Sequence, residues 1–211
     1  MAISGAAPIT EDKYQLIARE LGEFGWSVFP DFIGKSAVEA LAADARSGWE
    51  EGEFRRAMIG TGDNKVVRTD IRNDYVHWLD PTLLTPSQQA CFDEFELLRL
   101  AINQVLFLGL FELESHLAWY PPGSFYKKHV DQFRGTEHRV VTVVLYLNDD
   151  WRTGQGGELR LYPDKDNHAV FQDVLPTGGT LACFVTNAMV HEVLPATRDR
   201  LSMTGWFCNR R

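Results

Sequence analysis

Apolar residues repeat at helical spacing in the first half of the chain and alternate with polar residues in the second half. Spacings of three and four residues predict two amphipathic helices near the N-terminus. The first is predicted to begin at the cap Thr10 and to end at Gly22, since glycine readily terminates helices. Ser36 and Glu39 form a capping-box pattern, which predicts the start of the second helix. A short strand is predicted between the helices at residues 25–29.

The longest predicted helix carries three start signals. Thr85 is a favourable cap, Pro86 suits the first helical position and Gln88 completes a capping box. Its apolar stripe is expected to consist of Cys91, Phe95, Leu98, Ala101, Ile102 and Val105. A stripe of this kind is typical of a protein core.

From Phe111 onwards the period changes to two, which is the period of a strand. Short alternating runs are separated by turn-forming residues. Helices first and strands later favour an α+β fold with an antiparallel β-sandwich or barrel. In the run 139–147, we expect Val141, Val143 and Leu145 to pack on the helices, while the alternate residues face the barrel interior.

The chain of 211 residues is long enough for one domain with a large core. We predict a single domain over residues 1–211, with helical and loop support in 1–110 and a β-rich core in 111–208. The net charge of -8 argues against nucleic-acid binding, which needs a basic surface.

No apolar run reaches the length needed to cross a membrane, and residues 1–8 lack the pattern of a signal peptide. The cysteines, Cys91, Cys183 and Cys208, have neither disulfide nor zinc-site spacing and are expected to be reduced core residues. The sequence therefore predicts a cytoplasmic protein that binds neither nucleic acid nor membranes, and we expect it to be a monomer.

The first candidate for chemistry is the pair His129 and Asp131, which precedes the β-prone run 139–147. Residues two apart in extended backbone point to the same face, so the imidazole and the carboxylate can converge on one point. His191 is the best third ligand, because two histidines and one carboxylate form the facial triad of non-haem Fe(II) oxygenases. His116 is an alternative ligand, although a single histidine in a half-buried strand is more often structural.

Arg200 follows His191 and begins another alternating run. Its shared face, which lines a polar pocket or lies exposed, carries Arg200, Ser202, Thr204 and Trp206. An arginine beside a metal site suits a dicarboxylate, because its planar fork grips a carboxylate at two points. The alternative, a surface ion pair of Arg200 with Asp199 or Glu192, does not explain the hydroxyl residues on the same face.

His129 and Asp131, followed by His191, Arg200 and Thr204, resemble the motif of the Fe(II)/2-oxoglutarate-dependent dioxygenases. More narrowly, they resemble the prolyl hydroxylases that modify hypoxia-inducible factor and their compact bacterial relatives. The resemblance covers about residues 66–208. Five further segments carry it: Asp70–Asp74, Trp119–Gly123, Tyr126, Tyr146–Trp151 and Gly156–Arg160.

The resemblance implies a double-stranded β-helix, or jelly-roll, with the N-terminal and central helices packed on one sheet. It also implies a prolyl 4-hydroxylase that uses Fe(II), 2-oxoglutarate and O2 and releases succinate and CO2, with ascorbate as a candidate reductant. The implied substrate is a prolyl residue of a protein. For compact bacterial members the suspected target is translation elongation factor Tu.

The resemblance also implies roles for individual residues. The implied cosubstrate pocket consists of Arg200, Tyr146, Thr204 and Tyr120. The implied substrate mouth consists of Tyr126, Arg139, Asp74, Arg72 and Trp206. The matching motif positions further predict an ion pair between Asp74 and Arg139 across the entrance.

Two other functions fit parts of the pattern. A small-molecule hydroxylase acting on a free amino acid would use the same chemistry, although the charged stretch Asp70–Asp74 favours an extended peptide. A non-catalytic, cupin-like metal-binding sensor needs no clamp for a dicarboxylate, so Arg200 argues against it.

Overall fold

The computed structural model describes residues 12–60, 66–132 and 137–210. Within these ranges the chain forms three helices: α1 (Lys13–Phe24), α2 (Lys35–Glu50) and α3 (Pro86–Leu106). It also forms eleven strands there: β1 (Trp26–Phe29), β2 (Arg55–Arg56), β3 (Tyr75–Trp78), β4 (Leu110–Tyr120), β5 (Tyr126–His129), β6 (Arg139–Tyr146), β7 (Leu159–Tyr162), β8 (Gln172–Val174), β9 (Leu181–Val185), β10 (Val190–Val193) and β11 (Arg200–Asn209). No described helix combines the length and the apolar composition of a bilayer-spanning segment.

The strands form two antiparallel sheets. The larger sheet has the order β1-β9-β6-β11-β4-β3-β2 and the smaller has the order β5-β10-β7-β8. Strands distant in sequence are neighbours, such as β6 and β11, so the chain crosses repeatedly between the sheets, as in a jelly-roll. The prediction of an α+β jelly-roll is confirmed.

Strand β6 separates two apolar clusters. Val141, Val143 and Leu145 belong to the cluster that includes the helices, together with Phe95 of α3. Alternate residues of β6 belong to a second cluster between the sheets, which includes Tyr146. The predicted two faces of this strand are therefore correct, and each fully buried aliphatic side chain contributes about 1.5–3 kcal/mol to stability.

The predicted end of α1 is wrong. The helix continues to Phe24 and is terminated by Gly25, whose φ of 78° is left-handed. Gly22 lies inside the helix at its contact with α3, where a Cβ would lie 2.6 Å from Cδ2 of Leu106, so the glycine permits close packing of the two helices. The observed cap of α1 is Asp12, whereas Thr10, the predicted cap, lies outside the described residues.

The predicted capping box of α2 does not form. The helix begins at Lys35 after the cap Gly34, so Ser36 is already within the first turn. The capping box of α3 is confirmed: the Thr85 hydroxyl accepts from the Gln88 backbone N–H at 3.2 Å, and the Gln88 side chain accepts from the Thr85 backbone N–H at 3.1 Å.

The N-terminal region contributes strands to the large sheet as well as helices. β1 pairs with β9, and β3 pairs with both β2 and β4. The sequence pattern predicts two strands within residues 66–79, but the described part of that stretch contains β3 and two isolated bridges, at Val66 and at Arg72. The second strand, β2, lies earlier because Arg55 and Arg56 supply the backbone partners of β3.

Candidate metal and dicarboxylate site

Pairing between β5 and β10 brings the predicted metal ligands together. His129 and His191 stand directly opposite each other in this ladder. Asp131 follows β5 by two residues, and its Oδ1 lies 3.4 Å from Nε2 of His129 and 3.7 Å from Nε2 of His191. The three side chains therefore offer two imidazole nitrogens and one carboxylate oxygen to a common point.

Backbone carbonyls hold both imidazole rings. Nδ1 of His129 lies 2.7 Å from the Lys127 carbonyl, and Nδ1 of His191 lies 3.0 Å from the Met189 carbonyl. A carbonyl only accepts hydrogen bonds, so Nδ1 carries the proton and Nε2 keeps its lone pair for a metal. Burial lowers the pKa of His191 to about 4, which keeps this ring neutral.

The carboxylate of Asp131 is held by its other oxygen. Oδ2 accepts hydrogen bonds from the Thr142 hydroxyl at 3.0 Å and from Nε1 of Trp206 at 3.0 Å, which leaves Oδ1 towards the histidines. Burial acts to raise the pKa of this carboxyl, but the two histidines and the indole N–H outweigh it, so the pKa lies well below its usual range. An ionised carboxylate beside two imidazole Nε2 atoms is the donor set of a facial triad, so these residues fit Fe(II).

At one end of the same cavity lies Arg200, which is only 1% exposed. Its Nε donates to the Gly157 carbonyl at 2.8 Å, and no carboxylate among the described residues forms an ion pair with it. The rings of Tyr120 and Tyr146 lie 5.0 and 5.1 Å from the guanidinium carbon. We call Arg200, Tyr120 and Tyr146 the inner end of the cavity.

The Tyr146 hydroxyl at the inner end is buried without a hydrogen-bond partner among the described residues. Burial raises the pKa of Tyr146 to about 12, so the hydroxyl keeps its proton and can donate it in a hydrogen bond. A buried cation without a counterion beside an unpaired donor fits an anionic oxygen ligand, such as the distal carboxylate of 2-oxoglutarate.

Four further predicted site residues line this cavity. Thr204 and Trp206 project from β11 on the same face as Arg200, and the predicted mouth residues Arg72 and Tyr126 lie across from them. The Tyr126 ring stacks on His129 with centroids 3.4 Å apart, and the Arg72 guanidinium lies over Tyr126 at 4.1 Å.

The predicted ion pair between Asp74 and Arg139 does not form. Asp74 is fully buried and accepts two hydrogen bonds from Arg72, at 2.8 and 2.6 Å. Arg139 instead donates to Glu114 at 2.9 and 2.7 Å and lies over the Trp206 ring at 3.9 Å. The reason lies in the sheet register, since β4 places Glu114 opposite Trp206 and close to the start of β6. We call Arg72, Tyr126, Arg139 and Trp206 the mouth of the cavity.

Sequence reasoning missed two supporting residues and undervalued a third. Thr142 fixes Asp131, and its only sequence signal was an inward position on β6. Gly157 has a φ of 75°, and a Cβ there would lie 2.9 Å from Trp151 and 3.3 Å from Arg200. Gly157 lies in the segment Gly156–Arg160, which carries the family resemblance, but the sequence did not show that this position must lack a side chain to make room for Arg200. His116, taken as structural, lines the cavity.

A second group of side chains also has ligand atoms close enough for a metal: Glu114, His138 and Cys208. The Glu114 carboxylate is already bonded to both His138 and Arg139. Burial raises the pKa of the Cys208 thiol to about 12, which disfavours the thiolate that metals bind. The triad in the cavity is therefore the stronger metal site.

Comparison with known proteins places this geometry in a family context. The model of the 2OG-Fe(II) oxygenase superfamily matches residues 115–208. The structure is similar to that of a Pseudomonas putida prolyl-4-hydroxylase, with a TM-score of 0.83 and 40% identity, over 94% of this chain and 100% of the other.

Two curated proteins are more distant in sequence. A hypoxia-inducible factor prolyl hydroxylase of Caenorhabditis elegans is 28% identical over 92% of this chain, and human Egl nine homolog 1 is 28% identical over 89%. The chain spans only 28% and 44% of the lengths of these two proteins.

Proposed function

The chain belongs to the 2OG-Fe(II) oxygenase superfamily, and we propose that it is an Fe(II)- and 2-oxoglutarate-dependent prolyl 4-hydroxylase acting on a protein. The observation that carries this proposal is Arg200, a fully buried cation that shares one cavity with a His-Asp-His group and has no carboxylate partner among the described residues. Such a cation is stable when an anionic ligand joins it. A dicarboxylate cosubstrate supplies that anion.

The metal would be held by Nε2 of His129, Oδ1 of Asp131 and Nε2 of His191. When bound, iron activates O2 so that one oxygen atom enters succinate, formed with CO2 from 2-oxoglutarate, and the other converts a substrate C–H bond to C–OH. The protein residues provide the geometry of this site. Thr142 and Trp206 hold the carboxylate, and the β5–β10 ladder holds the two imidazoles.

The cosubstrate would bind at the inner end. Arg200 would bind its distal carboxylate through the free edge of the guanidinium, and the Tyr146 hydroxyl would donate to the same group. Tyr120 and Thr204 would line the remainder of this pocket. Because the inner end is buried, these hydrogen bonds form away from water and are correspondingly strong.

The substrate would reach the site through the mouth. Similarity to the Pseudomonas putida prolyl-4-hydroxylase supports a prolyl substrate, and similarity to the hypoxia-inducible factor prolyl hydroxylase of Caenorhabditis elegans supports a prolyl residue of a protein. Translation elongation factor Tu is our proposed target, with Arg72, Tyr126 and Trp206 lining the entrance. Asp74 would hold Arg72 there and Arg139 would pack on Trp206. A single domain, a monomeric state and a cytoplasmic location remain predictions of the sequence.

The proposal is tested by incubating the purified protein with Fe(II), 2-oxoglutarate, ascorbate and prolyl peptides from elongation factor Tu. We expect succinate formation and a mass gain of one oxygen atom on the peptide. Matched peptides with alanine in place of proline should gain nothing, and amino-acid analysis should identify 4-hydroxyproline. Hydroxylation of free proline but of no peptide would instead establish a small-molecule hydroxylase.

A further inference from the structure

His116 is a buried polar residue of the cavity to which the proposed chemistry assigns no role. It lies on β4, opposite Thr204 of β11 and Trp78 of β3. The side chain is only 5% exposed and lines the cavity that contains the triad. It is not a member of the triad's group of ligand atoms.

Two indole rings fix the orientation of this imidazole. Its centroid lies 4.9 Å from that of Trp78 and 5.4 Å from that of Trp206. Trp206 in turn donates to Asp131, so His116 is separated from the triad's carboxylate by one indole ring. Packing against these two indole rings therefore orients the imidazole.

Nδ1 of His116 is buried and has no hydrogen-bond partner among the described residues. In contrast, Nδ1 of His129 and of His191 donates to a backbone carbonyl. Leaving a buried polar atom unpaired is unfavourable, because the atom has lost its hydrogen bond to water. An occupant of the cavity that offers a partner to this atom recovers that free energy.

The imidazole is neutral at physiological pH. Burial, assisted by the positive charge of Arg72, lowers the pKa of His116 to about 3, while Asp74 and Asp131 oppose this change. A neutral imidazole carries one N–H donor and one acceptor. His116 can therefore donate one hydrogen bond without bringing a charge into the cavity.

A prolyl substrate creates a specific need for such a donor. The amide that precedes proline has a carbonyl oxygen but no N–H, so it can only accept hydrogen bonds. Two neighbouring donors already serve carboxylates, since Arg72 binds Asp74 and Trp206 binds Asp131.

The position of His116 also favours the substrate over the cosubstrate. His116 lies four residues before Tyr120 of the inner end along β4, which corresponds to about 13 Å of strand, and it packs on Trp206 of the mouth. His116 therefore lies towards the mouth and away from the inner end, where the distal carboxylate would bind.

Building on the proposed prolyl hydroxylase function, we propose that His116 is a substrate-positioning residue. Its Nδ1–H donates a hydrogen bond to the amide carbonyl oxygen immediately before the target proline.

Three substitutions separate this role from a structural one. His116→Asn places an amide N–H near the position of Nδ1, whereas His116→Gln places it near that of Nε2. His116→Leu fills the space without a donor. For each variant, calorimetry on the Zn(II)- and 2-oxoglutarate-loaded protein, which cannot turn over, gives the dissociation constant of the prolyl peptide that the wild type hydroxylates. The dissociation constant of 2-oxoglutarate and the Tm of the ligand-free protein are measured separately.

We expect the Asn variant to bind the peptide within about threefold of the wild type, and the Gln and Leu variants to bind it about tenfold more weakly. The affinity for 2-oxoglutarate should not change. The Leu variant should have an equal or higher Tm, because it removes an unsatisfied buried polar group.

Several results would overturn this role. Equal loss of peptide affinity in the Asn and Leu variants would exclude an Nδ1 donor, and a change confined to 2-oxoglutarate would assign His116 to the cosubstrate. A lower Tm for the Leu variant would indicate a structural residue. If the wild type hydroxylates the peptide and all variants bind it equally, only the role of His116 fails; if the wild type hydroxylates no prolyl peptide, the proposed function fails and this role with it.

Discussion

The inner end of the cavity contains a buried cation without a carboxylate partner among the described residues, whereas the buried charges of the mouth are paired within the protein. Arg200 has a backbone carbonyl as its hydrogen-bond partner. At the mouth, Arg72 is paired with Asp74 and Arg139 with Glu114, each through two hydrogen bonds.

This difference separates two ways of building a binding site. The inner end is electrostatically incomplete, so an anion that enters it gains a charge-assisted hydrogen bond and relieves an unpaired charge. The charges of the mouth are already paired within the protein, so a substrate gains little by binding to them. It must be recognised by packing and by the few hydrogen-bond donors that have no partner among the described residues. The inner end therefore favours one small dicarboxylate, and the mouth accommodates a peptide.

The largest expected effect is the loss of the metal site. His129→Ala removes one of three ligand side chains, and we expect iron binding and succinate formation to fall below detection. Metal content measured by atomic absorption and a 2-oxoglutarate turnover assay test this. His168→Ala, an exposed histidine outside the cavity, should retain both properties. Full activity of the His129 variant would exclude the triad as the metal site.

A large loss of stability is expected at the mouth when the Arg72 guanidinium loses its carboxylate partner. Asp74→Ala leaves the mostly buried Arg72 guanidinium unpaired, which should lower the free energy of unfolding by about 3–5 kcal/mol. Urea denaturation measures this value. A double-mutant cycle with Arg72→Ala should show strong coupling, whereas a cycle with Arg139→Ala should be additive. Coupling between Asp74 and Arg139 would contradict the observed pairing and would support the ion pair that the sequence predicted.

At the inner end, Arg200→Lys keeps the charge but loses the planar fork. We expect 2-oxoglutarate to bind more weakly by about 1.5–3 kcal/mol, seen as a higher KM for the cosubstrate. Arg160→Lys is a matched control, because Arg160 binds Asp173 through two hydrogen bonds outside the cavity. An unchanged KM for 2-oxoglutarate in the Arg200 variant would contradict the clamp.

The smallest effect concerns pH. The pKa of His116 is about 3 in the folded protein and 6.5 ordinarily, so on acidification the unfolded chain takes up this proton first. Stability from the neutral ring is present above pH 6.5 and is lost as pH falls towards 3, at about 1.4 kcal/mol per pH unit. Between pH 6.5 and 5 the metal-free wild type should lose roughly 2 kcal/mol more than His116→Asn. Equal losses in urea denaturation would show that the ring protonates in the folded state.

The sequence predicted which residues line the site better than it predicted which residues they contact. A strand period places His129 and Asp131 on one face, and the pairing of β5 with β10 then brings His191 opposite them. The Asp74–Arg139 pair was wrong because the partner of Arg139 comes from β4. That contact depends on sheet register, which local spacing does not contain.

The sequence by itself determined the α+β pattern, the capping box at Thr85 and the side-chain types of the candidate site, because each depends on local spacing and chemistry. Tertiary structure decided that Gly25 and not Gly22 ends α1. It also decided that Arg200 has no carboxylate partner among the described residues, and that the buried Nδ1 of His116 has no hydrogen-bond partner among them. These features arise from contacts between elements far apart in the chain. Burial and pairing depend on which elements meet, so they are properties of the fold.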